Sequence, residues 1–257
     1  MIGSKSALTV GSLATAMLFG GGLYLYMNFG SLTKTLAEKV ATQTLGVDVN
    51  VGAVQVFLKD KKVEVRNVAI ANPPGYKNAK AMTIGTISIQ AESLSQEMLN
   101  FANATMTNMH VNLEVTPKGT NLTDIRNNIK VPGREAQAAE DRKTITKVIL
   151  REFAAEGGTI TPSISMLQTQ PKPINVPPIH LSGIGEAENG VLAGQAVAQI
   201  FRAVANESIK AAHEQNLLDG VDGALLKDMG VGEIQQLKET IKDEAGAIGD
   251  KVKGLFE

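Results

Sequence analysis

Apolar residues dominate residues 7–29, and no charge interrupts the chain between Lys5 and Lys34. At 1.5 Å per residue that run is roughly 35 Å long as a helix, enough to cross a hydrocarbon core of about 30 Å. The spacing therefore predicts an N-terminal transmembrane helix over residues 1–30, with Tyr24 and Tyr26 near its end at the depth where aromatic rings favour the membrane interface. A cleaved secretory signal shares the basic start and the apolar run, but the run is long for one and has no A-x-A site at its end. Lys5 on one side and Lys34 and Lys39 on the other leave orientation undecided by charge alone. Leu32, Leu36, Val40 and Leu45 then recur at near-helical spacing up to Gly46, a natural helix stop.

Beyond Gly46 the period falls to two. Val49 and Val51 occupy odd positions, Val54 and Val56 even ones, and the slip at Gly52-Ala53 predicts a β-bulge. A lysine-rich turn at residues 59–62 leads to Val63, Val65, Val68 and Ile70, a hairpin partner with a second slip near Asn67. Asn72-Pro73-Pro74-Gly75 is strong turn chemistry. Met82, Ile84, Ile87 and Ile89 predict a third strand, residues 93–101 a short helical connection, and Met109, Val111, Leu113 and Val115 a fourth strand. Residues 121–128 are polar, and residues 131–141 have loop composition. Residues 144–153 fit either a helix face or a strand; Gly157-Gly158 suits a hairpin turn and favours strand, paired with residues 159–167. Pro171, Pro173, Pro177 and Pro178 confine residues 174–184 to one edge strand, because proline cannot donate to a ladder.

Proline then disappears from residue 181 to the end. Val197, Ile200, Phe201, Val204 and Ala211 mark one amphipathic helix. Ile234, Leu237, Ile241, Ile248 and Leu255 mark another, largely at heptad spacing. The predicted architecture is α+β: a transmembrane anchor (1–30), a curved antiparallel β-sheet forming a U-shaped groove (31–184), and C-terminal amphipathic helices (185–257).

Composition narrows the function. Lys and Arg total 25 against 26 Asp and Glu, a net charge of −1, so nothing points to nucleic acid. Cysteine and tryptophan are absent, which removes thiolate chemistry and leaves few stacking platforms. Nucleophile-elbow, phosphate-loop and H-E-x-x-H motifs are missing, and each of the three histidines is an ordinary surface or core residue by its neighbours. Asp219-Gly-Val-Asp-Gly223 lacks the further oxygen ligands of a calcium loop. The expectation is a protein that is not an enzyme and carries no cofactor or metal. What remains is an apolar strand face. It either closes into a dry core or stays open to a ligand.

The order of features carries a resemblance. Leu45-Gly46, Val49-x-Val51-Gly52, Val68-x-Ile70-x-Asn72-Pro73-x-Gly75-Tyr76, Ala81-x-x-Ile84-x-x-Ile87-x-Ile89 and Val111-x-Leu113-Glu114 with Gly119-x-Asn121-Leu122-x-x-Ile125 resemble the N-terminal part of the AsmA-like family of bacterial envelope proteins. The resemblance implies a single-pass inner-membrane protein with its bulk in the periplasm, a trough for phospholipid acyl chains, and a part in lipid transfer and envelope homeostasis. Long members repeat the groove, whereas this chain is short. The groove candidates are Val49, Val51, Val54, Val56, Val63, Val65, Ile84, Ile87, Ile89, Val111, Leu113 and Val115. The alternative is a structural or assembly subunit of an envelope complex, oligomerising through its anchor and through Ile234, Leu237, Ile241, Ile248 and Leu255. The expected partners are membrane lipids, with a second copy or an envelope protein, and no nucleic acid.

Overall fold

A helix and a sheet share one face from the first described turn onward. The computed structural model describes residues 32–57, 59–95, 97–130, 147–165 and 171–218. Helix α1 (Leu32–Leu45) ends where glycine permits the left-handed turn: Gly46 has φ +71°, and its N–H donates to the Thr42 carbonyl at 2.9 Å. Strands β1 (Val49–Phe57), β2 (Lys62–Ala71), β3 (Lys80–Leu94) and β4 (Met98–Thr116) follow as an antiparallel meander. β5 (Gly119–Thr120) folds back on β4 and leads into α2 (Asn121–Asn127), capped by the Thr120 side chain, which accepts from the Thr123 N–H. β6 (Lys147–Ala155), β7 (Gly158–Ile164), β8 (Ile174–Val176) and β9 (Ile179–Ile184) complete the sheet, and α3 (Ala193–Glu214) packs back onto it and onto α1.

This architecture corrects the one expected from the sequence. The unit is mixed α/β, and its sheet, in the order β1-β2-β3-β4-β6-β9, is not antiparallel throughout, because β6 and β7 both run parallel to β4. The connection after β4 returns the chain to the start of that strand before β6 begins, so the next strand must run in the same direction; alternation of apolar residues carries no record of such a crossover. Nor is any described helix long and apolar enough to cross a membrane. α1 spans only about 21 Å, and α3 carries Arg202, Glu207, Lys210 and Glu214 along its length. Residues 7–29 lie outside the described residues, as does the heptad stripe from Ile234 to Leu255.

Four local expectations change as well. Residues 93–101 are not helical: β3 and β4 continue into a tight turn, with Leu94 paired to Leu99 and the Met98 N–H donating to the Ser95 hydroxyl. The polar piece at residues 121–128 is helix α2. Gly157-Gly158 makes no hairpin, since β6 and β7 lie end to end along β4, the first against Met98 to Met106 and the second against Met109 to Val115. Finally, the expected single edge strand at residues 174–184 is two: β8 pairs with β7, β9 pairs with β6, and Pro177-Pro178 separates them.

The slips in period at Gly52 and Asn67 belong to one feature. Strands β1 and β2 keep register straight through them, from Val51 opposite Val68 to Ala53 opposite Arg66. Asn67 in turn stands level with Gly85, Gly85 with Asn108, and Asn108 with Gly157, because the registered pairs on either side bracket each of them. Asn67 and Asn108 both adopt φ 54° and Gly157 φ +95°. Gly52 and Gly85 fit because a Cβ there would approach the Cβ of Asn67 to 2.8 Å and that of Asn108 to 2.7 Å. A transverse seam thus adds one residue at the same level to each of β1 to β4 and at the β6–β7 junction. The inward positions advance by three across it, from Val51 to Val54, Val65 to Val68, Ile84 to Ile87 and Met106 to Met109, and the same face of the sheet stays apolar on both sides.

Candidate functional site

The apolar face, α1 and α3 enclose a cavity of about 120 Å³ that straddles the seam. Its walls are Ala37, Ala41 and Leu45 of α1; Val49, Val51, Val65, Val68 and Ile70 of β1 and β2; Met82, Ile84, Ile87 and Ile89 of β3; Ala104, Met106 and Phe153 of β4 and β6; and Val197, Ile200, Phe201 and Val204 of α3. Every one is apolar. Alanines at 37, 41 and 104 leave the space because they put the least side chain toward the centre, where a leucine would fill it. Ile87, Val197 and Ile200 are only partly buried and form the rim. Val54 and Val56 are also partly buried and lie on the same face, since each is registered with a residue of that face, Val65 and Val63. They extend the apolar surface beyond the cavity.

Of the residues expected to line a groove, Val49, Val51, Val65, Ile84, Ile87 and Ile89 do line the cavity. Val54, Val56 and Val63 flank it on the same face. Val111, Leu113 and Val115 do not reach it; they are fully buried in the core that also contains Leu122, Ile125, Ile160 and Ile209. The sequence reading missed the α1 alanines, which have no apolar bulk to draw attention. It noted the stripe Val197, Ile200, Phe201 and Val204 but assigned it no partner. Ile234, Leu237, Ile241, Ile248 and Leu255 lie outside the described residues.

A second cluster holds the turn after β2. Glu114, 5% exposed, accepts hydrogen bonds from Asn72 Nδ2 at 2.9 Å, from the Lys77 N–H at 2.8 Å and from the Asn78 N–H at 2.7 Å. Asn121 Oδ1 accepts from the Glu114 N–H, and Asn121 Nδ2 donates to Asn72 Oδ1 at 2.7 Å and to the Asn112 carbonyl at 2.8 Å. A carboxylate with its lone pairs so occupied is a fastener for residues 72–78 rather than a proton-transfer group. Tyr76 completes the clasp by donating to Asp124 at 2.6 Å; burial, followed by that bond, raises its hydroxyl well above the ordinary value.

Among the described residues, His110 and the carboxylates of Glu64, Glu92 and Glu186 are held in local pairs. His110 Nε2 lies 3.2 Å from Asn112 Oδ1 and 3.4 Å from Thr161 Oγ1, with no carboxylate to orient it. Lys62, whose ammonium is 2.6 Å away, and Arg66 hold the Glu64 carboxyl below its usual range. Arg151 bridges Glu92 at 2.8 Å and Glu186 at 3.0 Å on the exposed surface. Among the described residues no three His, Asp or Glu side chains are grouped to hold a metal ion. The chain matches no family model, no curated protein and no solved structure.

Proposed function

We propose that this protein binds the acyl chain of a membrane lipid, without catalysing a reaction, and takes part in lipid transfer or maintenance within the bacterial envelope, on its periplasmic side. The observation that carries the reading is the cavity wall, which has no polar side chain anywhere along it and a rim open at Ile87, Val197 and Ile200. A cavity of about 120 Å³ is of the same order as the ~150 Å³ apolar cavity that stays dry and takes up benzene. It has room for the end of an acyl chain, and the partly exposed strip of Val54 and Val56 offers the next stretch of chain an apolar bed. The AsmA-like resemblance supports the same reading, and the absence of any anchoring charge in the wall fits recognition of the hydrocarbon rather than the headgroup.

Native mass spectrometry and lipid extraction on the full-length chain test this. Phospholipid at a fixed stoichiometry is the expected result. Ala104→Phe, which puts a ring into the cavity, should release that lipid while circular dichroism stays unchanged. A folded wild-type protein carrying no lipid, or full occupancy in Ala104→Phe, refutes the reading.

A further inference from the structure

The two edges of the sheet are finished differently. At one, β9 is six residues long, begins after Pro177-Pro178 and contains Gly183 at φ +67°, features that blunt an edge against pairing. At the other, β1 is half covered. The Val49 N–H donates to Thr42 Oγ1 at 2.9 Å and the Val51 N–H to Glu38 Oε1 at 2.8 Å, so α1 satisfies the outward N–H groups of the upper half. Along a strand of fixed direction, side-chain face and peptide direction alternate together. Val54 and Val56 share the face of Val49 and Val51, and they therefore turn their N–H and C=O groups outward too. Among the described residues nothing pairs with them. The strand from Val49 to Phe57 contains neither charge nor proline, the usual protections of an exposed edge.

We propose that the lower half of β1 pairs with the same strand of a second copy, antiparallel and two-fold about Gln55. That register places Val54 opposite Val56 of the second copy, and the reverse, and forms four backbone hydrogen bonds between the outward groups. It also carries the turn bearing Lys59, Lys61 and Lys62 with Asp60 of each copy toward Glu38 of the other. Glu38 projects at the level of Val51, and its nearest cation is Lys34 at 3.9 Å. The net positive turn and the carboxylate are complementary, twice over by symmetry. A two-fold axis perpendicular to the sheet keeps both apolar faces on one side, so the strips of Val54 and Val56 meet across the joint. The pairing is independent of lipid; that the joined strip forms a longer acyl trough rests on the proposed function above.

The absence of cysteine from the chain makes the test clean. Gln55 is exposed and self-opposed at a non-hydrogen-bonded pair, where Cα atoms sit about 4.5 Å apart, within disulfide reach. Full-length Gln55→Cys should oxidise to a covalent dimer, whereas Arg66→Cys, exposed one strand further in, should not. Wild type should sediment as two chains and Gln55→Lys, which sets two ammonium groups against each other on the axis, as one. A monomeric wild type, as a strand from a different protein or a covering segment of the same chain would give, overturns the proposal. A dimer that Gln55→Cys does not trap also overturns it, because the contact then lies on another surface.

Discussion

Removing the Glu114 carboxylate should unfasten the turn that joins β2 to β3. Glu114→Ala leaves the Asn72 amide and the Lys77 and Asn78 N–H groups without their acceptor. A hydrogen bond to a charged group contributes about 1.5–3 kcal/mol, and because these three are part-buried, solvent screening brings each down to about 1 kcal/mol. The sum is about 3 kcal/mol, a large share of a typical stability of ~5–15 kcal/mol. Urea denaturation of the full-length protein measures it as a shift in midpoint at unchanged slope. Native-state hydrogen exchange localises it: the Lys77 and Asn78 amides should lose protection while amides in the middle of β4 lose only what the global change dictates. Because Asn72 donates to the same carboxylate, Asn72→Ala and Glu114→Ala should be less than additive in the double variant. A loss below about 1 kcal/mol, with both amides still protected, would refute the view that this carboxylate holds the turn.

Phe153→Ala enlarges the cavity from one of its fully buried walls and should cost about 3–5 kcal/mol in urea, partly recovered when benzene is added; no recovery would mean that the space collapses. Gly85→Ala drives a Cβ to 2.7 Å from that of Asn108 and should cost about 1–3 kcal/mol, with Asn108→Gly in the same chain recovering part of the loss in a thermal melt. Tyr76 titrates above its ordinary value of about 10, so the fold favours its neutral form. Its contribution is complete below that pH and declines as pH rises beyond it, toward the higher value in the folded state. The stability difference between wild type and Tyr76→Phe should accordingly shrink above pH ~10 in chemical denaturation; a constant difference would show that the hydroxyl is not retained as a donor.

Much of this was readable from the residues. Val63, Val65, Val68 and Ile70 announce their strand and the side it buries, and Gly46 announces the end of α1, because local sterics and side-chain period act within a few residues. What pairs with what across the chain leaves no such trace. Residues 144–153 and 159–167 read as a hairpin because Gly157-Gly158 is good turn chemistry, yet the partner of both observed strands, β6 and β7, is β4, reached only after a long connection. Half of the expected groove residues line the cavity and Val54, Val56 and Val63 flank it on the same face, while Val111, Leu113 and Val115, whose apolar period is equally regular, lie in a part of the core that is closed over, a tertiary difference that the period does not carry. Ala37, Ala41 and Ala104 were invisible because the space they leave is defined by side chains they do not have.

The seam of Gly52, Asn67, Gly85, Asn108 and Gly157 constrains how this sheet can change by descent. Deleting Asn67 alone would turn residues 68–71 over, exposing Val68 and Ile70 and burying Ala69 and Ala71, since a one-residue slip reverses every side chain beyond it. The same holds for the matching position in each neighbouring strand. Losing the extra residue without penalty would take its simultaneous loss from every strand the seam crosses, an event no stepwise lineage passes through in folded form. Substitution along the row is open to selection one position at a time; its length is not. In descendants of this chain, insertions and deletions should therefore fall in the turns, while the distance in residues from each turn to the seam stays fixed.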